Sequence, residues 1–160
     1  LVSRGKRPAV NPFLSVTRVG HQTQTLLQKD VSRELSEFLI TYERMKQFMH
    51  FGAEIGGNTK NILDLGSRVD AFFNQSGTRT VAININILIL AGLWAGIWNE
   101  SKIDEFKREM EQLTLLYDTD SNYQKQVDEL IKSSRTFSDL VTVLRRDNKI
   151  ITSKLGRSTA

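Results

Sequence analysis

The sequence has no cysteine, and it has only two prolines and two histidines among 160 residues. Without cysteine, neither a disulfide framework nor a thiolate metal site is possible. Both prolines, Pro8 and Pro12, fall in the first 20 residues together with Gly5 and Gly20. This composition predicts an extended arm with little regular structure over residues 1–20.

The residues that usually carry chemistry are also scarce. His21 and His50 lie far apart, and neither has a second ligand at the spacing of a metal site. The patterns of zinc proteases, serine hydrolases and phosphate-binding loops are missing. Acidic pairs such as Asp104-Glu105 fall on expected polar helix faces. We therefore expect no catalytic residue, no metal site and no cofactor, and we predict that the protein is not an enzyme.

Acidic residues are missing from the start of the sequence, whose overall net charge is +4. The basic residues of the arm are Arg4, Lys6, Arg7 and Arg18, and the first acid is Asp30. Organellar transit peptides share this composition, and the alternative is an ordered or frayed basic arm. Both interpretations stay open. Because the first residue is Leu1 rather than Met, we expect a processed or partial product.

Charge is absent from Thr80–Trp98, TVAININILILAGLWAGIW, which is the longest apolar run in the sequence. At helical rise these residues extend about 28 Å, close to the roughly 30 Å of a bilayer core. Arg79 precedes the run, and Trp94 and Trp98 near its other end suit the headgroup level. The run predicts a transmembrane helix over residues 79–98, with Arg79, Trp94 and Trp98 at the membrane interface.

Two other interpretations of this run remain. A helix buried at the centre of a bundle can be equally apolar, and the alternation of Val81–Ile89 is also compatible with a strand. Within a helix, Gly92 and Gly96 form a GxxxG pair that permits close approach of a neighbouring helix. Asn84 lies on about the same face, where its amide can donate a hydrogen bond across such a contact. We therefore expect Asn84, Gly92 and Gly96 to mediate helix packing.

Amphipathic helices are predicted on both sides of the run. A heptad-like apolar stripe, typical of coiled coils and bundles, extends from about residue 22 to residue 51. A second helix follows the Gly56-Gly57 pair. Beyond Trp98 the stripe continues unbroken, which predicts one helix from Thr80 to Tyr117. Residues 118–122 predict a tight turn, followed by a helix that ends near Arg146 and a basic tail that frays.

The predicted fold is therefore all-α, with a transmembrane or deeply buried central helix, amphipathic flanking helices and a C-terminal helical hairpin. Its segments are a basic arm at 1–20, two helices in 21–78, the central helix at 79–98, the hairpin at 99–148 and the tail at 149–160. Neither flank is long enough to bury a large core by itself, so each requires partners.

The layout resembles that of small accessory subunits of respiratory or ATP-synthase assemblies. It predicts a non-enzymatic, single-pass structural subunit of a membrane complex, with other protein subunits and lipid as partners. The acid-poor start favours the mitochondrial inner membrane. The alternative is a soluble, all-helical capsid or coating protein that binds nucleic acid through its basic arm. A third possibility is a pore-forming protein that hides the apolar run until it inserts.

Overall fold

A computed structural model describes residues 25–52, 56–74 and 82–156, and all regular structure in these ranges is helical. The helices are α1 Leu26–His50, α2 Gly57–Phe73, α3 Ile83–Ala95, α4 Ile103–Thr119, α5 Ser121–Ser133, α6 Phe137–Arg146 and α7 Lys149–Thr152, and a 3₁₀ turn at Ser153–Leu155 follows. The prediction of an all-α fold is confirmed.

The core of the molecule is built around α3. Every residue from Ile85 to Leu93 is buried, and the helix packs against α2, α4, α5 and α6. A helix that is apolar on all sides must be covered on all sides, either by lipid or by other helices. Here the other helices cover it, as the deeply buried alternative requires.

The transmembrane interpretation of this run is not supported. The helix has 13 residues, which extend about 20 Å and fall short of a bilayer core. Within the described ranges, no helix combines the length and the apolar character needed to cross a membrane. The strand alternative is wrong for the described part of the run, since Ile83–Ala95 is helical.

The prediction of one continuous helix from Thr80 to Tyr117 is also wrong. Helix α3 ends at Ala95, residues 96–101 form a turn, and α4 begins at Ile103. Asp104 and Glu105 lie in the first turn of α4, where carboxylates are favoured by the free N–H groups and the helix dipole. The apolar stripe continues past the break because both helices face the same core.

The predicted stripe on α1 is confirmed, since Leu27, Val31, Leu35 and Tyr42 are buried. Thr25 starts the helix with a capping box: its hydroxyl accepts the Gln28 N–H, and the Gln28 side chain accepts the Thr25 N–H. Helix α1 packs against α2 and α6.

Two polar contacts fix α1 against these helices. The Tyr42 hydroxyl donates to the Asp70 carboxylate of α2 at 3.1 Å, and the Asp30 carboxylate accepts the Phe137 N–H of α6 at 2.7 Å. The second contact supplies an acceptor to the first turn of α6, where N–H groups lack partners within the helix. The amphipathic first helix is thus tied to both of its neighbours.

The predicted turn at residues 118–122 is confirmed, because α4 ends at Thr119 and α5 begins at Ser121. The Asp120 carboxylate caps α5 by accepting the N–H groups of Asn122 and Tyr123. The two helices pack against each other as a hairpin. The second arm of this hairpin is shorter than predicted: Thr136 caps a new helix, α6, by accepting the Asp139 N–H.

The expectation of a frayed tail is wrong for its described part, residues 149–156. These residues form α7 and the 3₁₀ turn, and Gly156 ends them with a φ of +72°. Ile151 is 0% exposed. Burial of a full isoleucine side chain stabilises a fold by about 1.5–3 kcal/mol, which offsets part of the cost of ordering this short segment.

Candidate functional site

The carboxyl end of α3 is closed by a glycine-dependent cap. Gly96 has a φ of +88°, a conformation that side chains disfavour. Its N–H donates to the Leu93 carbonyl at 3.1 Å, and the Ile97 N–H donates to the Gly92 carbonyl at 3.1 Å. This pair of bonds is a Schellman motif. Gly96 therefore ends the helix, whereas the sequence prediction placed it on a helix-packing face.

Gly92 lies against two apolar side chains of its own chain. A Cβ atom at this position would lie 2.8 Å from Trp98 Cζ3 and 3.0 Å from Ile151 Cδ1. The backbone of α3 thus forms a notch at Gly92, filled by Trp98 and Ile151. The close approach predicted for Gly92 occurs inside the bundle, in contact with the turn after α3 and with α7.

The two tryptophans are part of the core and its edge. Trp98 is 0% exposed; its indole N–H donates to the Glu109 carboxylate at 2.8 Å, and its ring meets Phe106 edge to face. Trp94 is half-buried and meets Phe38 and Phe137 edge to face. Their predicted role at a membrane interface therefore has no support in these contacts.

Two arginines hold the carboxyl end of α3 and the turn after it. Arg68 of α2 donates to the carbonyl of Asn99 at 3.3 Å and to that of Ser101 at 2.6 Å. Arg145 of α6 donates to the Trp94 carbonyl at 3.2 Å. Cations are favoured beside the free carbonyls of a helix end. The break after α3 is thus fixed from two sides.

A polar cluster lies at the other end of α3. The Asp128 carboxylate of α5 accepts the Asn84 amide N–H of α3 at 2.9 Å and the Tyr117 hydroxyl of α4 at 2.5 Å. Burial and the neighbouring Asp128 carboxylate raise the pKa of Tyr117. Asn84 thus makes a polar contact between helices, and its partners belong to the same chain.

An open groove runs beside this cluster, with a volume of about 810 Å³. We call it the N-terminal groove because its walls include the first residues of α1 and α3. It is formed by residues 25–28, by Ile83 and Asn84, and by side chains from Asp128 to Arg135 around the end of α5. Its walls are mainly apolar, and it is large enough to accept side chains of another molecule.

The remaining predicted site residues lie outside the described residues; they are Arg4, Lys6, Arg7, Arg18 and Arg79. In the described ranges, no group of three or more His, Asp or Glu side chains is placed to hold a metal ion. These polar groups hold the bundle together: Asn84 of α3 bonds to Asp128 of α5, Trp98 in the turn after α3 bonds to Glu109 of α4, and Arg68 of α2 bonds to the same turn.

Sequence reasoning missed most of these partners. Arg68, Glu109 and Asp128 are ordinary charged residues on amphipathic helices, so nothing in their local pattern distinguishes them from solvated positions. A signal did exist for Gly96. A glycine that follows an apolar helical run and precedes a charged segment is typical of a helix end.

The sequence is similar to a part of known ATP synthase subunits. A family model described as "ATP synthase alpha/beta chain, C terminal domain" matches residues 24–146, from just before α1 to the end of α6. The mitochondrial ATP synthase subunit alpha of Neurospora crassa is 36% identical over 94 residues, which cover 58% of this chain. The similarity spans 17% of the length of the Neurospora subunit. No solved structure matches the sequence.

Proposed function

This protein belongs to the family formed by the C-terminal domains of ATP synthase alpha and beta chains, and we propose on that premise that it is the C-terminal helical domain of an alpha-type subunit. In this role it acts by packing against other protein subunits of the assembly. The observation that carries the proposal is the family match over residues 24–146, which includes the whole of α1–α6.

The proposed role is structural and includes no catalytic step. It is supported by the use of the polar side chains, since Asp128 joins helices to each other, and Trp98 and Arg68 join the turn after α3 to α4 and α2. The proposed location is the mitochondrion, as for the Neurospora relative named above. Lipid and nucleic acid have no part in the proposed role.

Co-purification tests the proposal. A tagged copy of the protein is expressed in its own organism, and the ATP synthase is isolated through a different subunit and resolved on a native gel. We expect the tagged protein in the band that hydrolyses ATP. Migration by itself, or with an assembly that does not hydrolyse ATP, contradicts the proposal.

The non-catalytic part of the proposal needs its own measurement. The purified protein alone should hydrolyse no ATP, and the same preparation after heat denaturation provides the matched background. An ATP hydrolysis rate clearly above this background, which disappears when the protein is unfolded, would contradict the structural role.

A further inference from the structure

Residues 147–156, which we call the strap, follow the last helix of the part that matches the family. The family match ends at residue 146, so α7 and the 3₁₀ turn lie beyond it. The helix α7 has four residues, far fewer than a helix needs to be stable in water by itself. The strap therefore keeps its helical shape only while it is docked on the bundle.

Among the described residues, most hydrogen bonds of the strap close within the strap itself. The Asn148 carbonyl accepts the N–H groups of Ile151 and Thr152 at 3.0 and 2.9 Å, and it also accepts the Thr152 hydroxyl at 3.1 Å. The Lys149 N–H donates to the Asp147 carboxylate at 3.1 Å. Such bonds do not connect the strap to the helices beneath it.

The contacts between the strap and the bundle are mainly apolar. Ile151 is 0% exposed and fills the notch at Gly92. The Gln112 side chain of α4 donates to the Lys154 carbonyl at 3.4 Å, which is longer than a typical bond of this kind. The Lys154 ammonium lies 5.8 Å from the centre of the Tyr123 ring. Undocking of the strap thus loses chiefly the burial of one large side chain.

The centre of the bundle is held by many more contacts. Every residue from Ile85 to Leu93 is buried, and α3 packs against four helices. Segments with few buried apolar contacts open locally at a lower free energy than the core, which opens only when the whole domain unfolds. The strap is a segment of the first kind, and α3 belongs to the second.

We propose that the strap opens and closes over the notch at Gly92 while α1–α6 stay folded. In the closed state Ile151 fills the notch and covers the ring of Trp98. In the open state an apolar notch between α3 and the turn after it is accessible to water and to other apolar side chains. The strap is thus a reversible, built-in cover of this notch. The inference depends on the contacts of residues 147–156 and is independent of the proposed function.

Thiol labelling of single-cysteine variants tests this opening. Because the sequence has no cysteine, Ile151→Cys places one thiol inside the notch, and Leu88→Cys, at a position that is 0% exposed, is the matched control in α3. We expect the thiol at residue 151 to react at least roughly tenfold faster than the thiol at residue 88, because opening of the strap exposes only the first.

The dependence of these rates on urea separates local opening from unfolding. Urea favours an opening in proportion to the surface that it exposes. At urea concentrations below the unfolding transition, the labelling rate at residue 151 should therefore change little, whereas the rate at residue 88 should rise steeply.

Hydrogen exchange of the unmodified protein provides the second readout, because a cysteine at residue 151 itself weakens the docking. The backbone amides of Ile151 and Thr152 should exchange at least roughly tenfold faster than those of residues 87–93. This comparison needs no variant and is made within one sample.

Three outcomes overturn the inference. The first is equal labelling at residues 151 and 88 with the same urea dependence, since the strap then opens only with the whole bundle. The second is exchange at Ile151 and Thr152 as slow as at residues 87–93. The third is loss of helical circular dichroism in Ile151→Cys, which shows that α1–α6 do not stay folded without the docked strap.

Discussion

At Gly92, two side chains closely approach the backbone of α3. A leucine there would overlap Trp98 and Ile151, and overpacking of a tight core costs about 1–3 kcal/mol or more. We therefore expect Gly92→Leu to lower the free energy of unfolding by about 3 kcal/mol in urea titrations. Gly57→Ala, where no atom lies within 4 Å of the added Cβ, is the control. Equal stability of both variants would contradict the close packing of Trp98 and Ile151 against Gly92.

Gly96 has a different role, which a matched pair of variants can separate from that of Gly92. With a φ of +88°, an alanine at this position should cost about 1–2 kcal/mol. Asparagine tolerates this conformation better than alanine does, so Gly96→Asn should be the milder change. Thermal unfolding of both variants gives the order, and equal effects would show that strain at residue 96 does not limit stability.

At the scale of the helices, one carboxylate joins three of them. Asp128→Ala leaves the Asn84 amide and the Tyr117 hydroxyl without their acceptor, which should lower the free energy of unfolding by about 1–3 kcal/mol. Glu129→Ala, on the exposed side of the same helix, is the control. If the two variants unfold at the same urea concentration, the cluster does not hold α3, α4 and α5 together.

Much of the helical pattern could be predicted from sequence. The stripe of α1, the break near Gly52 and the turn at Asp120 depend on local signals: apolar spacing, a glycine with positive φ, and a capping carboxylate. Each of these signals depends on residues that are close together in the sequence, so it can be recognised without a structure. The short helix α7 has no such signal, because it is held by burial of Ile151 in a distant notch.

The break after α3 was missed for a specific physical reason. A GxxxG pair and a helix-ending glycine have the same local sequence, and they differ in the backbone angles of the second glycine. The same ambiguity affected the whole run, because an apolar helix surface fits lipid and a protein core equally well. The nine buried residues from Ile85 to Leu93 resolve it in favour of the core.

At the scale of the whole molecule, stability should fall at alkaline pH. Burial raises the pKa of Tyr123, and burial together with a nearby carboxylate raises the pKa of Tyr42 and of Tyr117. In the unfolded state tyrosines ionise near pH 10, so only the folded form keeps its phenol protons above that pH. The stabilisation is therefore fully present below about pH 10 and is lost as pH rises through the folded pKa values.

Tyr123→Phe tests this dependence of stability on tyrosine ionisation, and it also tests the effect of burying the Tyr123 hydroxyl. Among the described residues, the buried Tyr123 hydroxyl has no hydrogen-bond partner, so its removal should raise stability at neutral pH by up to about 1 kcal/mol. The variant should also lose less stability than the wild type above about pH 10. Urea unfolding at neutral and alkaline pH measures both effects, and an unchanged alkaline loss would contradict the contribution of Tyr123.

The sequence favours a subunit of a larger assembly, because its flanks are too short to bury a large core alone, and the family match supports this coarse part. The non-catalytic role, which follows from the lack of catalytic patterns, stays a prediction. The groove at Leu26 could not be inferred, because it depends on how the starts of α1 and α3 meet the end of α5. Contacts between residues that are distant in sequence leave no local pattern.

Hydrogen exchange of the backbone amides tests the central claim most directly: a short α3, covered by other helices, that ends at Gly96. In buffer without detergent, we expect the slowest exchange at residues 87–93 and faster exchange at residues 99–102, before protection returns in α4. Unbroken protection from residue 83 to residue 117, or protection of residues 87–93 that requires detergent, would contradict the account.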